Sequence, residues 1–265
     1  MIVKAKKALG QHFLKDLDIA AKIAATIEDV NLPDEARKWA SIPILEIGPG
    51  MGVLSQYLLK SGREVKAVEL DLESVEFLNK VFPDLDVVHA DFLKMNLSDI
   101  FPGDFALIGN YPYNISSQIF FKVLDYKDKI PVVAGMLQKE VAQRICSAPG
   151  SKVYGILSVL LQDWYDCSYL FDVPPSVFAP PPKVNSGVIR LVRNNRDTLG
   201  CDEKLFKTVV KTSFGQRRKT LRNSLSSLIP AGSRLLQDEI LSRRPETLAV
   251  EEFIKLTNAL SPSDL

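Results

Sequence analysis

The sequence predicts an α/β domain followed by a small all-helical domain, and three observations support this. Short apolar runs alternate with stretches of helical periodicity up to about residue 192, the pattern of a parallel sheet with helices on both faces. A glycine-rich turn, from Gly48 to Gly52, directly follows the first apolar run. Beyond about residue 200 the periodic segments are all helical. We therefore expect two domains, at residues 1–195 and 196–265.

The elements of the first domain follow from simple patterns. A predicted strand is a short apolar run that ends at a turn residue, and a predicted helix repeats apolar residues every three to four positions. A proline-rich stretch at 173–182 is predicted to be a stiff connector, because proline lacks an amide donor and keeps the chain extended. The predicted strands are 43–47, 65–70, 87–89, 105–108, 131–136 and 186–192. The predicted helices are about 16–30, 53–62, 73–81, 115–124 and 153–164.

The second domain is the basic part of the chain. Residues 196–265 hold 12 Lys and Arg against 9 Asp and Glu, whereas residues 1–195 hold 21 against 23. Seven basic residues occur between positions 204 and 222 without an acidic one, which predicts a phosphate-binding face as well as it predicts a solvated helix surface. They are Lys204, Lys207, Lys211, Arg217, Arg218, Lys219 and Arg222. Helices are predicted at 205–213, 217–228, 232–241 and 250–260, after a polar linker at 193–200.

The composition is that of a folded globular protein. Of the 265 residues, 46% are hydrophobic and 25% charged, which excludes the disordered and collagen-like classes. Three widely spaced cysteines and two histidines form no disulfide framework or zinc-ligand spacing, so we expect a reducing compartment and no metal. No secretory signal or membrane-spanning run is recognisable. We expect a cytoplasmic monomer that does not bind a membrane.

Residues suited to a nucleoside follow three successive predicted strands. Gly48 and Gly50 allow the backbone to approach a ligand closely. Glu69, 21 residues after Gly48, can hold two ribose hydroxyls, and Asp91 can accept a hydrogen bond from an adenine amine. The G-x-G-x-G spacing makes a dinucleotide pyrophosphate the weaker interpretation. The alternative is a tight turn with two solvated acids, and Glu46 is either a ligand contact or a satisfied buried carboxylate.

The second candidate site is the turn Asn110-Tyr111-Pro112-Tyr113. The lone pair of an exocyclic adenine amine is delocalised into the ring, so methylating it requires acceptors that favour a tetrahedral nitrogen. The Asn110 side-chain oxygen and the Tyr111 carbonyl can be those acceptors, and the Tyr113 ring can stack on the base. Phe178 can cover the other face of a flipped base or pack in the core. By itself the tetrapeptide is an ordinary turn with a core tyrosine.

Six blocks of residues occur in order along the chain. They are GQHFL at 10–14, EIGPG at 46–50, NYPYNIS at 110–116, MLQKEV at 136–141, FAPPPKV at 178–184 and QRRKTLR at 216–222. Together they resemble the KsgA/RsmA family of small-subunit rRNA adenine dimethyltransferases. The resemblance implies a Rossmann-like, S-adenosylmethionine-dependent methyltransferase sheet. It also implies methyl transfer to the exocyclic amines of two adjacent adenosines in the hairpin loop near the 3′ end of 16S rRNA.

The resemblance also implies roles for individual residues. Asn110 and Tyr113 would handle the target base, and Phe178 its second face. The substrate would be a partly assembled 30S subunit, on which the helical C-terminal domain docks. The family usually has Asn at the position of His12, Leu at that of Tyr111 and Asp at that of Asn185. The implied S-adenosylmethionine site comprises His12, Leu14, Gly48, Gly50, Glu69, Asp91 and Asn110.

Three alternatives remain open. The related large-subunit rRNA adenine methyltransferases that confer macrolide resistance share the catalytic turn but usually lack the FAPPPKV and QRRKTLR blocks as written here. A DNA adenine methyltransferase would use the same chemistry on a flipped base, although no segment resembles a major-groove reading helix. In the third alternative the protein acts chiefly as an RNA-binding assembly factor.

Overall fold

The computed structural model describes residues 3–27 and 39–261 and divides the chain into two compact units. The first unit combines residues 1–143 with 166–193, and the second combines 144–165 with 194–265. Residues 144–165 therefore lie outside the unit in which the sequence analysis placed them. The physical reason is the helix Ile156–Gln162, which buries five consecutive residues and packs against two C-terminal helices of the same unit.

A mostly parallel sheet forms the centre of the first unit. The strands of the first unit are β1 (Phe13–Leu14), β2 (Ile44–Ile47), β3 (Val65–Glu69), β4 (Asp86–His89), β5 (Ala106–Asn110), β6 (Val132–Gln138), β7 (Tyr165–Val173), β8 (Phe178–Ala179) and β9 (Ser186–Arg193). In the described part of the chain, the sheet has the strand order β4-β3-β2-β5-β6-β9-β7. The four pairings among β2 to β6 are parallel, and β9 runs antiparallel to β6. The separate strands β1 and β8 pair with each other.

Helices surround this sheet and, from residue 194 to 261, are the only regular elements described. The predicted α/β fold is thereby confirmed. Asp16 caps the first helix by accepting a 3.0 Å hydrogen bond from the Ile19 amide, and the predicted extension of this helix beyond residue 27 lies outside the described residues. The helices are α1 (Leu17–Ala25), α2 (Ser55–Leu58), α3 (Leu72–Val81), α4 (Ser116–Asp125), α5 (Lys139–Cys146), α6 (Ile156–Gln162), α7 (Glu203–Gly215), α8 (Leu221–Ser224) and α9 (Val250–Ala259).

Two predicted C-terminal helices are wrong in extent or type. Only α8 forms within the predicted helix 217–228, because residues 216–220 make a turn in which the Lys219 amide donates to the Gln216 carbonyl at 2.8 Å. Residues 232–241 form two short 3-10 helices, Arg234–Gln237 and Glu239–Ser242. Ser233 and Asp238 cap these pieces with their side chains, which competes with a continuous helix.

Among the strands and α-helices described, four were not predicted: α5, β1, β7 and β8. Strand β7 has apolar residues at every second position, from Tyr165 to Val173, and this alternation is the signal that would have predicted it.

The strands β2, β5 and β6 are buried over almost their whole length, as inner strands of a parallel sheet are. No helix of the described residues has the length and apolar character needed to cross a membrane.

Candidate active site

A cavity of about 300 Å³ lies where the carboxyl ends of β2, β3 and β5 meet in the first unit. In open α/β sheets this edge is the usual ligand site. Eight of the nine residues proposed for the cofactor and the target base line this one cavity, together with Glu46 and the segment from Ala8 to Phe13. The predicted site residues that line the cavity are His12, Leu14, Gly48, Gly50, Glu69, Asp91, Asn110 and Tyr113.

The glycine-rich turn after β2 forms part of the cavity wall. Gly48 and Gly50 have φ values of +64° and +58°, which side chains rarely adopt. A Cβ on Gly50 would also come within 2.9 Å of the Phe13 ring. On Gly48 a Cβ would approach nothing closer than Pro112 at 4.0 Å, so its restriction is conformational and not steric. The turn therefore presents backbone to the cavity in a conformation that favours glycine at both positions, and only at Gly50 would a side chain also meet a neighbour.

Glu69 ends β3 as a buried carboxylate held by three backbone amides. Its Oε2 accepts from Gly50 at 3.1 Å, and its Oε1 accepts from Leu70 and Asp71 at 2.8 Å each. Burial raises the pKa of Glu69, and the three amides act in the opposite direction. These hydrogen bonds fix the direction of the carboxylate and join the turn after β2 to the end of β3. Such a group is preorganised to accept ribose hydroxyls.

Glu46 is a second buried carboxyl at the same cavity. Its Oε2 accepts a 2.6 Å hydrogen bond from the Ser55 hydroxyl. Burial raises its pKa to about 7, and the nearby charge of Glu69 adds to this shift. The hydrogen-bond partner of the buried Glu46 carboxyl is therefore a side chain and not the backbone. Glu46 lines the same cavity as Glu69. No described group supplies a counter-charge to it in an ion pair.

Asp91 follows β4 and begins the loop on the far side of the cavity. Its Oδ1 accepts from the Leu93 amide at 3.0 Å. Lys122 supports this loop from α4, because its ammonium donates to the carbonyls of Leu93, at 3.0 Å, and Met95. Burial lowers the pKa of Lys122, although Asp91 acts in the opposite direction. No sequence motif indicates Lys122, because its role depends on contacts with residues almost thirty positions away.

The catalytic-turn candidate, 110–113, is fixed from both sides. The Asn110 Nδ2 donates to the His12 carbonyl at 3.0 Å, which leaves the side-chain oxygen available as an acceptor. The Tyr111 amide donates to the Met136 carbonyl at 2.8 Å, and its buried hydroxyl donates to the Ala134 carbonyl at 2.6 Å. Tyr111, at a position where the resemblance implies leucine, is therefore an anchor of the turn on β6.

The residues next to Tyr111 make room for its ring. A Cβ on Gly135 would lie 2.7 Å from the Tyr111 ring and 2.3 Å from the Gly109 carbonyl oxygen. Gly135 has a φ of +147°. The Phe120 ring packs edge-on to Tyr111 with a centroid distance of 5.7 Å. The larger side chain at position 111 is thus accommodated beneath the turn.

The N-terminal segment covers one side of the cavity. The His12 ring lies beside the Tyr113 ring, with centroids 5.4 Å apart, and its Nδ1 is 2.8 Å from the Pro180 carbonyl oxygen. The carbonyl accepts, so Nδ1 must carry the proton. Lys6 makes ion pairs with the buried Asp71 and, at 3.0 Å, with Glu73. These contacts hold residues 6–14 against the sheet edge.

Phe178 is placed differently from the other candidates. It is 1% exposed, pairs with Leu14 across β1 and β8, and belongs to the hydrophobic core of the first unit. It does not line the cavity. The ring therefore supports the segment that contains His12 and Leu14.

The seven basic candidates belong to the second unit. Lys204, Lys207 and Lys211 share α7 at spacings of three and four residues, which places them on one helix face. The remaining four lie in the turn after α7 and on α8. Among them, the Arg222 guanidinium donates to the Leu236 carbonyl at 2.9 Å, and Arg217 donates to the Lys152 carbonyl. Carbonyl partners orient these two cations without neutralising them.

The chain is similar to known proteins in sequence and in fold. The family model described as "Ribosomal RNA adenine dimethylase" matches residues 2–261. A ribosomal RNA small subunit methyltransferase A from Parabacteroides distasonis is 61% identical over 258 residues, covering 97% of this chain and 94% of the relative. A dimethyladenosine transferase from Plasmodium falciparum has a similar fold, with a TM-score of 0.74, 24% identity, and coverage of 92% and 96%. The 23S rRNA methyltransferase ErmE gives a TM-score of 0.64, 25% identity, and coverage of 94% and 99%.

Proposed function

Because the chain belongs to the ribosomal RNA adenine dimethylase family, we propose that it dimethylates two adjacent adenosines of 16S rRNA. The target is the hairpin loop near the 3′ end, modified while the 30S subunit is partly assembled. S-adenosylmethionine is the methyl donor, and the protein acts as a cytoplasmic monomer. The observation that carries the proposal is one cavity in which the Glu69 carboxylate and the 110–113 turn meet.

The cavity fits S-adenosylmethionine in size and in donor set. Its volume of about 300 Å³ lies within the range of ligand sites, and it combines apolar walls with a few fixed polar groups. Glu69 would hold the ribose, Asp91 the adenine amine, and the turn at Gly48 and Gly50 would accommodate the methionine part. His12 and Leu14 would close the site from the N-terminal segment. The donor supplies a methyl group on a positively charged sulfur.

The 110–113 turn would hold the accepting amine. The Asn110 side-chain oxygen and the Tyr111 carbonyl would each accept one N–H of the adenine amine. Two acceptors in fixed positions favour the tetrahedral nitrogen that carries a lone pair toward the methyl group. No charged base is needed before the methyl transfer, because the amine nitrogen becomes acidic only as the bond forms. The amine proton then passes to solvent, because amide and peptide carbonyl oxygens are too weakly basic to take it up.

Aromatic rings would hold the flipped base. Tyr113 is half-buried at the cavity and offers a ring for stacking. Phe178 is proposed for the second face of the base, and in the conformation described its ring lies in the core. Stacking by Phe178 therefore requires the ring to leave that position when RNA binds.

The basic residues of α7, the following turn and α8 would bind phosphates of the rRNA. They are Lys204, Lys207, Lys211, Arg217, Arg218, Lys219 and Arg222. The segment from 204 to 222 contains no acidic residue, which supports an anion partner. An assembly-factor role is compatible with the same surface and does not require catalysis.

The decisive experiment supplies labelled S-adenosylmethionine with either undermethylated 30S particles or protein-free 23S rRNA, followed by mass spectrometry of the nucleosides. We expect N6,N6-dimethyladenosine in 16S rRNA of the 30S particles alone. Label in 23S rRNA would identify a large-subunit enzyme, an alternative to which the similarity to ErmE points. Label in neither would overturn the proposed reaction. The far higher identity to the small-subunit relative favours the first outcome.

A further inference from the structure

We propose that Ser186 is a positioning residue that sets the orientation of the Tyr113 ring for the incoming adenine. The inference rests on the proposed function, because it assigns Tyr113 to base stacking. The observation behind it is a hydrogen bond between the Tyr113 and Ser186 hydroxyls, which joins the catalytic turn to a strand 73 positions later in the chain. The six sequence blocks do not include Ser186.

Ser186 is a fixed point in the fold. It is the first residue of β9 and is 0% exposed. It stands opposite Gln138 in the antiparallel pairing with β6. The preceding residue, Asn185, accepts a 3.0 Å hydrogen bond from the Lys139 amide through its carbonyl. A short side chain on a paired strand has little freedom, so its hydroxyl stays in place.

Tyr113, by contrast, needs an external constraint. It lies on a turn and is half-buried, and its ring contacts the His12 ring at a centroid distance of 5.4 Å. The His12 ring restricts the Tyr113 ring on one side and leaves its far end free to swing about the first side-chain torsion. The phenol oxygen lies on the long axis of the ring, so the hydrogen bond to Ser186 fixes where that end lies and the direction of the axis. Stacking on a flipped base depends on this placement, and so does the distance between the amine and the methyl group.

Burial makes the hydroxyl pair a stable link. Burial raises the pKa of Tyr113, and the hydrogen bond with Ser186 acts in the opposite direction. The phenol therefore remains neutral at physiological pH, and either hydroxyl can donate. Ser116 adds a second restraint, since its hydroxyl donates to the Tyr113 carbonyl at 3.2 Å. That contact fixes the main chain of the turn, and the hydrogen bond to Ser186 fixes the far end of the ring.

The test is a double-mutant cycle of Ser186→Ala and Tyr113→Phe, assayed on undermethylated 30S particles. We expect Ser186→Ala to lower kcat by about 10- to 100-fold, the loss typical of a misplaced reacting group, without weakening S-adenosylmethionine binding. If Ser186 acts through the Tyr113 hydroxyl, the double variant is no slower than the slower single variant. Multiplied losses in the double variant would overturn the proposal, as would an unchanged kcat for Ser186→Ala.

Two further measurements separate positioning from folding. Ser213→Ala serves as the matched control, because Ser213 is also 0% exposed and donates to a carbonyl, that of Val209, at 2.7 Å. If Ser186→Ala does not fold, Ser186→Cys fills the same space with a weakly hydrogen-bonding thiol, and the cycle is repeated with it. A wild-type chain that is inactive on 30S particles would overturn both the proposed function and this role. An active wild type with additive variants would overturn this role alone.

Discussion

The backbone amide of Gly50 donates a 3.1 Å hydrogen bond to the Oε2 of Glu69. This contact joins the turn after β2 to the last residue of β3, so the two halves of the proposed cofactor site are bonded to each other before a ligand binds. The same carboxylate accepts from the amides of Leu70 and Asp71. Three donors converge on one side chain, and its replacement should affect cofactor binding directly.

Glu69→Gln should weaken S-adenosylmethionine binding by at least about tenfold, because an amide nitrogen cannot accept a hydrogen bond and one hydrogen bond to a charged group, about 1.5–3 kcal/mol, is lost. Isothermal titration calorimetry measures the change. Glu76→Gln is the matched control, since Glu76 is exposed on the neighbouring helix α3. Equal affinities for Glu69→Gln and the wild type would remove Glu69 from the cofactor site.

Asn110→Ala should leave S-adenosylmethionine binding largely intact and lower methyl transfer by about 10²- to 10³-fold, the cost of removing one preorganised group that stabilises a transition state. The reason is that its side-chain oxygen remains free while the nitrogen bonds to the His12 carbonyl. Rates are measured on undermethylated 30S particles at saturating cofactor. Transfer at the wild-type rate would show that Asn110 is not an acceptor for the amine.

Glu46 should make the stability of the protein depend on pH. Its folded pKa of about 7 lies above the ordinary value of 4.5, so between these pH values the folded state binds the proton more tightly than the unfolded state. The free energy of unfolding should therefore fall as pH rises from about 4.5 to 7, by up to about 1.4 kcal/mol per pH unit from this group.

Glu46→Gln removes this titration and keeps an acceptor for Ser55. Urea unfolding of both proteins at pH 5, 6, 7 and 8 is the measurement. Relative to the wild type, the variant should become more stable as pH rises through this range. Parallel pH profiles for the two proteins would mean that Glu46 ionises normally in the fold.

Arg218→Ala and Lys219→Ala should each weaken rRNA binding and reduce its salt dependence. Both side chains are exposed in the turn between α7 and α8, and a lost phosphate contact lowers the slope of log K against log salt by about 0.7–0.9. Binding to 30S particles is measured between low and moderate salt. Lys80→Ala, at an exposed position on α3 of the first unit, is the control. An unchanged slope in both variants would exclude this turn from the RNA contact.

Phe178→Ala should lower the free energy of unfolding by about 3–5 kcal/mol, because a fully buried ring is lost from the core. Phe178→Leu keeps most of the apolar volume and tests the proposed stacking separately. We expect the leucine variant to fold, to bind S-adenosylmethionine and to methylate 30S particles more slowly. A leucine variant with wild-type kcat and KM would show that Phe178 only packs in the core and does not stack on the base.

Much of the first unit was predictable because its signals are local. Short apolar runs predicted the positions of β2, β3, β4, β5, β6 and β9 to within a few residues. The strand β7 and the helix α5 were missed, although β7 shows the alternation of an edge strand. In the C-terminal unit, 3-10 turns capped by Ser233 and Asp238 have nearly the same periodicity as an α-helix. Periodicity alone could not distinguish the two.

The sequence by itself determined the α/β fold, the glycine turn and the edge of the sheet at which the candidate site forms, because backbone preferences and apolar periodicity act over a few residues. The tertiary structure decided which distant groups meet. His12 contacts Asn110 across 98 positions, Tyr113 contacts Ser186 across 73, and Phe178 lies in the core. Contacts of this kind depend on the register of whole strands and on how side chains fill the space between them, and no short stretch of residues contains that information.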